Sequence, residues 1–347
     1  MRPAIAFTSR LPVGEAGGIE SALRELVPRV AQLKPDWDVV CVHAFRRHTL
    51  FSRLPFFGDL LAAAILYWNT RRFDVVVING AEYAWPRMLQ RRARRHTVTV
   101  WHGTRAAEIP ALAARMNLAV RAYLRLETWL QRWALCAARQ IAVSLTTRTE
   151  LRETYAYRAE IAIASNGAPP AITNGIRGRP RHRQHVAWIG TNPYKKGLDV
   201  AIASCRIAQR RFPGLRLVAI GVGPGAAESE PWVECTGRLT HEAALERLAT
   251  CSVLLGSTRY EGCSVAVIEA LALGVPVIAG PCVGWMVGAG GIALENLEPL
   301  DFARVLEELL GDDERLERMS DEAKARARHF DWSQAAQVYA AEIESCL

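Results

Sequence analysis

Short β-branched apolar runs recur along the chain, and longer stretches with a helical period separate them. In the first half the runs are "AIAFTS" from Ala4, "DVVCVHAF" from Asp38, "DVVVING" from Asp74, "TVTVWHG" from Thr97, "QIAVSL" from Gln140 and "EIAIASNG" from Glu160. They are nearly continuous in hydrophobicity, which predicts strands buried on both faces of a parallel sheet. Helical stretches fall near 18–33, 56–68, 83–95, 117–139 and 146–155. The segment "ITNGIRGRPRHRQ" (172–184) then interrupts the pattern with Gly, Pro and Arg and no apolar period, as a linker does. The alternation restarts with "HVAWIGT", a helix from about 197 to 212, "LRLVAIG", "WVECTG", a helix near 240–250, "SVLLGST", a helix near 264–273 and "PVIAG". Three helical segments finish the chain, the last capped by Asp331 or Ser333.

This alternation predicts the α/β class, with two tandem doubly wound parallel-sheet (Rossmann-like) domains facing a central cleft. The expected division is a first domain at 1–172, a linker at 173–184 and a second domain at 185–329. A final helix at 330–347 is expected to cross back to the first domain. Such sheets bind ligands beyond the carboxyl ends of their strands, so strand-end loops are the places to look for chemistry.

Composition changes the picture in one respect. The 347 residues are half hydrophobic and carry a net charge of +8, but the charge is unevenly spread. Residues 1–180 hold 26 Lys+Arg against 13 Asp+Glu, and residues 181–347 hold 17 against 22. A basic first half suggests an acidic partner there. The stretch 117–139 has Leu118, Ala122, Leu126, Trp129, Leu130 and Trp133 on one face and Arg121, Arg125, Arg132 and Arg139 on a neighbouring one. This reads as a core-facing helix with a solvated face, or as one that touches anionic lipid. No helix-turn-helix, finger or RNA-binding motif supports a nucleic-acid partner. The N-terminal apolar run is too short for a signal-peptide core, and the longest apolar block, Leu60 to Trp68, is too short to span a bilayer. The eight cysteines show no C-x-x-C pair, which suits reduced thiols and a cytoplasmic setting.

The strand-end loops hold the candidate chemistry. "WHGT" places His102 at a carboxyl edge, either satisfied by local backbone or facing the cleft. The Gly-rich loop Gly14, Gly17, Gly18 lets backbone approach a ligand before a helix N-terminus. "GVGPG" (221–225) is a poor dinucleotide loop, since Pro224 lacks an N–H where a phosphate would need one. "WIGTNPYKKGLDV" sets Lys195 and Lys196 before a helix, where a lysine opposes the dipole unless an anion lies near. "DWD" (Asp36, Asp38) precedes its strand and so lies at the wrong sheet edge for a metal, and no cluster has zinc spacing.

The most informative stretch is "STRYEGCSVAVIEALALGVPVIAG" from Ser257. Glu261 falls in a strand-to-helix loop, and Glu269 falls inside the helix that Ser264 opens. Gly262 permits a tight turn. The N–H groups of Cys263, Ser264 and Val265, with the helix dipole, form an anion cradle. Carboxylates accept hydrogen bonds from hydroxyls. An anion cradle between two carboxylates suits a phosphate flanked by polyols, as in a nucleotide sugar.

These residues resemble a known family, the retaining glycosyltransferases of family 4, with the glycosyltransferase-B fold. "YEGCSVAVIEALALGVPVI" is similar to the family's E-G-x-x-x-x-x-x-E-A-x-A-x-G-x-P-V signature. "GGIE", "WHG", "SNG", the "KG" at Lys196–Gly197, "TGRL" and the terminal "FDWSQAAQVY" follow in the family's order. The resemblance implies that Glu269 binds ribose hydroxyls and that Glu261 contacts the donor sugar. Backbone at Gly262, Cys263, Ser264 and Val265 would hold sugar and phosphate, and Lys196 would neutralise the diphosphate. Arg238 and Leu239 would lie beside the base, and His102 and Gly18 would line the sugar and acceptor side.

The implied reaction moves a hexosyl group from a nucleoside diphosphate sugar to a hydroxyl of a glycan, lipid-linked or small-molecule acceptor, with retention. UDP-sugar is favoured and GDP-sugar is the alternative. No cofactor or metal is expected beyond the nucleotide-sugar co-substrate. An anionic membrane surface is a candidate partner of the basic domain, and the expected setting is cytoplasmic, with the inner face of the membrane as one option. One departure stands out: Thr191 occupies the place of the family's usual arginine, and Lys195 is the candidate replacement. A nucleotide-sugar epimerase and a non-catalytic sugar-nucleotide or membrane-binding module are the rival readings.

Overall fold

The structure is a computed structural model that describes residues 2–13, 18–45, 55–168, 175–176, 181–227 and 230–347. Gly14 and Gly17 of the first loop lie outside these residues, as does most of the expected linker. The chain forms two compact units, Met1–Gly167 with Asp331–Leu347, and Ala168–Phe330.

The first unit is built on a six-stranded sheet. Its strands are β1 (Ala4–Ser9), β2 (Asp38–His43), β3 (Val75–Asn79), β4 (Thr97–Trp101), β5 (Arg139–Ala142) and β6 (Ala162–Ile163). Their order is β2-β1-β3-β4-β5-β6, and every pair is parallel. The strands β3 and β4 are buried along their whole length. In contrast, β2 has a neighbour on one side only and is partly exposed throughout, so two-sided burial does not extend to this edge.

The helices of this unit are α1 (Gly18–Leu33), α2 (Pro55–Thr70), α3 (Trp85–Met88), α4 (Arg91–Arg95), α5 (Arg105–Leu112), α6 (Leu118–Ala134) and α7 (Leu145–Thr154). The single helix expected at 83–95 is three pieces. A 3-10 turn covers Ala81–Tyr83, Pro86 opens α3, and an extended Gln90 separates α3 from α4.

In α6 the sequence pattern misleads. Leu118, Ala122 and Trp129 share the exposed face with Arg121, Arg125 and Arg132. The buried face carries Leu124, Glu127, Leu130, Gln131 and Ala134. Leu130 is buried and Leu126 and Trp133 are partly so, as expected, and polar partners beneath the helix explain why the rest of the face is displaced. Arg105 Nε stands 2.7 Å from Glu127, and the Gln131 side chain accepts from Arg105 N at 3.0 Å and Tyr155 Oη at 2.9 Å.

The terminal helix Trp332–Glu344 belongs to this first unit. Its Tyr339 ring packs 6.0 Å from that of Phe7, and Glu344 pairs with Lys34, just after α1, at 2.9 Å. A side chain at Gly167 would stand 2.5 Å from the Trp332 backbone nitrogen, so only glycine admits this approach.

The second unit has strands β7 (His182–Ile189), β8 (Arg216–Ile220), β9 (Val233–Cys235), β10 (Cys251–Gly256), β11 (Val277–Ala279) and β12 (Gly291–Ala293), ordered β12-β11-β10-β7-β8-β9. All are parallel. Strand β7 starts inside the linker expected at 173–184, because Arg183 anchors its polar start through Nη2 to the Leu310 carbonyl at 2.6 Å. The edge strand β12 is an addition to the expected set. The core of this unit gathers Val186, Trp188, Leu217, Val253, Leu255 and Ile278 from the strands with Phe302 and Leu306 from the helix Pro299–Gly311. The chain runs outward from β7 to β9 and then returns to the other side of β7 as β10. The strand order therefore reverses between β7 and β10, and the loops leaving those two strands flank a crevice.

Candidate active site

The loop after β7 contains Lys196, and the loop after β10 contains Glu261. Backbone zips them together. Arg259 N donates to the Lys195 carbonyl at 2.9 Å, Ser257 Oγ to the Gly197 carbonyl at 2.8 Å, and Trp188 Nε1 to the Lys196 carbonyl at 2.8 Å. Gly197 has φ +70°, and a Cβ there would lie 1.9 Å from the Ser257 carbonyl oxygen. Both the left-handed turn and the close approach require glycine. Arg259 forks onto Asp199 with two 2.8 Å bonds and also donates to the Tyr194 carbonyl. Burial alone would raise the Asp199 carboxyl, but those bonds and the Arg259 charge outweigh it and hold the pKa below the ordinary value.

This scaffold brings the Lys196 ammonium onto the Glu261 carboxylate. The pair lines one cavity with Trp188, Ser257, Thr258, Ser264 and Val267. The anion that offsets Lys196 at its helix start is thus supplied by the chain itself. Ser264 occupies the N-cap of the helix Val265–Ala272 and is buried, yet its hydroxyl makes no capping bond. By comparison, Thr104, Asn117, Ser144 and Thr240 all cap their helices through the side chain. The first-turn N–H groups beside Glu261 therefore receive nothing from the cap hydroxyl. Cys282 lies near Glu261, and burial, followed by that charge, pushes its thiol up to about 12, so it stays protonated.

Glu269 lies further along the same helix and is 7% exposed. His241 bonds its Oε1 through Nε2. This histidine opens the helix His241–Ala249 immediately after the cap Thr240. Sequence reasoning missed it because its partner is 28 residues away, although its place beside "TGRL" was a usable signal.

Arg238 and Leu239 stand exposed in the loop after β9. That loop is tied to the "GVGPG" turn by Gly237 N to the Val222 carbonyl at 2.8 Å and Gly221 N to the Gly237 carbonyl at 3.2 Å. Thr191 is exposed at the start of the lysine loop, and the Lys195 ammonium stands 5.5 Å from the Tyr260 ring. Gly262, Cys263 and Val265 complete the turn into the helix as expected from their order.

His102 and Gly18 belong to the first unit. Gly18 opens α1 with open space where a side chain would be. His102 leaves the end of β4, with Nε2 3.3 Å from Asn79 Oδ1 at the end of β3. Its ring is partly exposed, but desolvation pulls its pKa down to about 4 against the opposing charge of Glu82. It is a neutral imidazole at pH 7. Asn79 is 2% exposed, and its Nδ2 has no partner. Among the described residues, no cluster of three or more His, Cys, Asp or Glu side chains is arranged to hold a metal ion.

Known proteins are similar to this chain. A family model described as Glycosyltransferase Family 4 matches residues 16–171, and one described as Glycosyl transferases group 1 matches residues 183–312. The D-inositol 3-phosphate glycosyltransferase of Corynebacterium aurimucosum is 29% identical over 46% of this chain and 42% of its own length. The chain thus spans less than half the length of the first curated relatives it matches. Among solved structures, the sucrose-phosphate synthase of Thermosynechococcus elongatus superposes with a TM-score of 0.76 at 16% identity, covering 97% of both chains. The Anabaena protein HepE, solved with UDP and glucose, superposes with a TM-score of 0.68 at 19% identity, covering 98% of this chain and 99% of its own. The two family models share most of the chain between them, and with the paired parallel sheets they assign it to the group 1 glycosyltransferases of the glycosyltransferase-B type.

Proposed function

We propose that the protein transfers a hexosyl group, with retention, from a nucleoside diphosphate sugar to an acceptor hydroxyl. The observation that carries this reading is the Lys196–Glu261 pair at the strand-order reversal, beside a helix start that its own cap hydroxyl leaves unserved. A diphosphate suits the helix start and Lys196, in exchange for Glu261. Glu261, once released, accepts from a donor-sugar hydroxyl. Glu269, held by His241, accepts from the ribose.

By the family resemblance, Gly262, Cys263, Ser264 and Val265 line sugar and phosphate, Lys195 adds charge, and Arg238 and Leu239 flank the base. His102 and Gly18 are assigned to the sugar and acceptor side. A UDP-sugar is the favoured donor, and the UDP bound to HepE supports that choice. The leaving phosphate helps to remove the acceptor proton, and the chain's own N–H groups and lysines do the work a cation would otherwise do. The acceptor is a glycan, a lipid-linked sugar or a small molecule. The protein works in the cytoplasm, peripheral to the inner face of the membrane.

A thermal-shift panel of nucleotide sugars tests the reading, because a ligand of the folded state raises the melting temperature. The expected result is a shift with one nucleoside diphosphate sugar and a smaller one with its nucleotide. A panel without any shift would overturn it. Analysis of the donor after incubation without acceptor excludes an epimerase if the sugar is unchanged.

A further inference from the structure

The helix α2 turns an entirely apolar face to solvent. Phe57, Leu61, Ala64 and Trp68 follow one another at helical spacing, all exposed, and Phe57 and Trp68 are 70% and 61% exposed. Soluble helices place such a stripe against a core. At the end of α2, Arg71 lays its guanidinium 3.6 Å over the Trp68 ring, and Arg72 is exposed beside it.

The neighbouring α6 meets α2 where the Tyr123 hydroxyl bonds Asp59. Its exposed face carries Leu118, 80% exposed, and Trp129, 55% exposed, with Arg121, Arg125 and Arg132 between and beyond them. No carboxylate among the described residues pairs with these three arginines. The surface of the second unit is arranged differently. There Arg315 pairs with Glu308, Arg318 with Glu314 and Lys324 with Asp321. The only acids of the two helices, Asp59 and Glu127, are turned inward. An exposed face of large apolar groups and arginines lacking counter-charges calls for an occupant that is anionic at its rim and apolar beneath.

We infer that α2 and α6 form a docking face for an anionic lipid bilayer, with Phe57, Leu61, Trp68, Leu118 and Trp129 entering the interface and the arginines meeting lipid phosphates. Arginine stems lie along apolar surface while their heads reach the phosphate level. This deepens the membrane part of the reading above. It does not depend on the transfer chemistry, so lipid binding and donor binding are read separately.

The test is flotation of the full chain with vesicles of phosphatidylcholine alone and of phosphatidylcholine with phosphatidylglycerol. The protein should float with the anionic vesicles only, and less so as salt rises. The pair Phe57→Ser and Trp68→Ser should weaken that binding by at least about tenfold. Arg121→Gln and Arg125→Gln should each weaken it by about fivefold. All these positions are exposed, so circular dichroism and melting should stay at wild-type values. The thermal shift with the donor should persist in every variant. If the wild-type donor shift is absent while flotation persists, the transfer reading fails and the docking face stands. Equal flotation with neutral vesicles, flotation unchanged in the variants, or no flotation at all overturns the docking face. So does a concentration-dependent dimer in sedimentation that the same variants abolish, because it would give the face to a second copy of the chain.

Discussion

The two sheets share a parallel, doubly wound plan, but they handle charge at and around their carboxyl ends in opposite ways. In the second unit charges are paired one to one: Lys196 with Glu261, His241 with Glu269, Arg259 with Asp199. Each pair ties together segments that follow different strands. In the first unit charge is pooled and buried. Arg105 faces Glu82, Glu108 and Glu127 together, and Asp59 takes Arg10 and the hydroxyls of Tyr83 and Tyr123. Desolvation raises the Glu127 carboxyl to about 7 against the opposing charge of Arg105. Paired charges can be exchanged with a ligand one at a time. A pooled cluster fixes helices in place and leaves their outer faces to do something else.

Seven substitutions break or sharpen this contrast. The largest effect is expected from Lys196→Ala, which should reduce turnover by about 10²–10³-fold, as loss of a group stabilising the leaving charge does. Release of nucleoside diphosphate from the donor measures it. Glu261→Ala should also lose activity, and wild-type turnover in that variant would remove its assigned role.

Gly197→Ala comes next. The left-handed backbone and the 1.9 Å approach to Ser257 should cost about 1–3 kcal/mol and lower the urea midpoint of the second unit. Glu269→Ala should weaken nucleotide affinity by about tenfold to a hundredfold in calorimetry. His241→Ala should do less, since it only holds the carboxylate.

The smallest effect concerns the first unit. The folded pKa of His102 lies below its unfolded value, so the unfolded state binds the proton more readily. Stability is therefore fully present above about pH 6.5 and is lost as pH falls toward about 4. His102→Gln should flatten that part of the stability profile. Asn79→Asp should raise the His102 pKa by about 1–3 units, read by NMR titration of the ring, because it sets a carboxylate against Nε2.

The same contrast explains what the sequence makes legible. Glu261, Ser264 and Glu269 lie in one contiguous stretch whose strand–loop–helix order is forced by Gly262, Gly274 and Pro276. Local order therefore reveals local geometry. The cluster of Asp59, Tyr83, Tyr123 and Glu127 is assembled from distant segments, and no spacing rule sees it. Periodicity found α6 and part of its buried face, Leu130 with Leu126 and Trp133, but not Glu127 and Gln131, because their burial follows Arg105 on α5 and Tyr155 just after α7. Strand β12 was missed because "GIA" has only one β-branched residue and begins with glycine. The start of β7 reads as linker because "HRQ" is polar, and it is anchored by a contact more than a hundred residues away. The alternation of strand and helix, and hence the parallel doubly wound plan, was legible throughout.

The contact between Lys196 and Glu261 has a consequence for how the site fills. Under the proposed function the carboxylate is a resident counter-ion to Lys196, a placeholder for the phosphate. On that reading an arriving diphosphate would evict it, and eviction would free the same carboxylate to meet the sugar. Recognition of the two halves of the donor would thereby become sequential. A lone phosphate that displaces the placeholder leaves it without a new partner, and a complete donor gives it one. After transfer the carboxylate would return to the lysine and compete with the departing nucleotide, so the pair would reset the site.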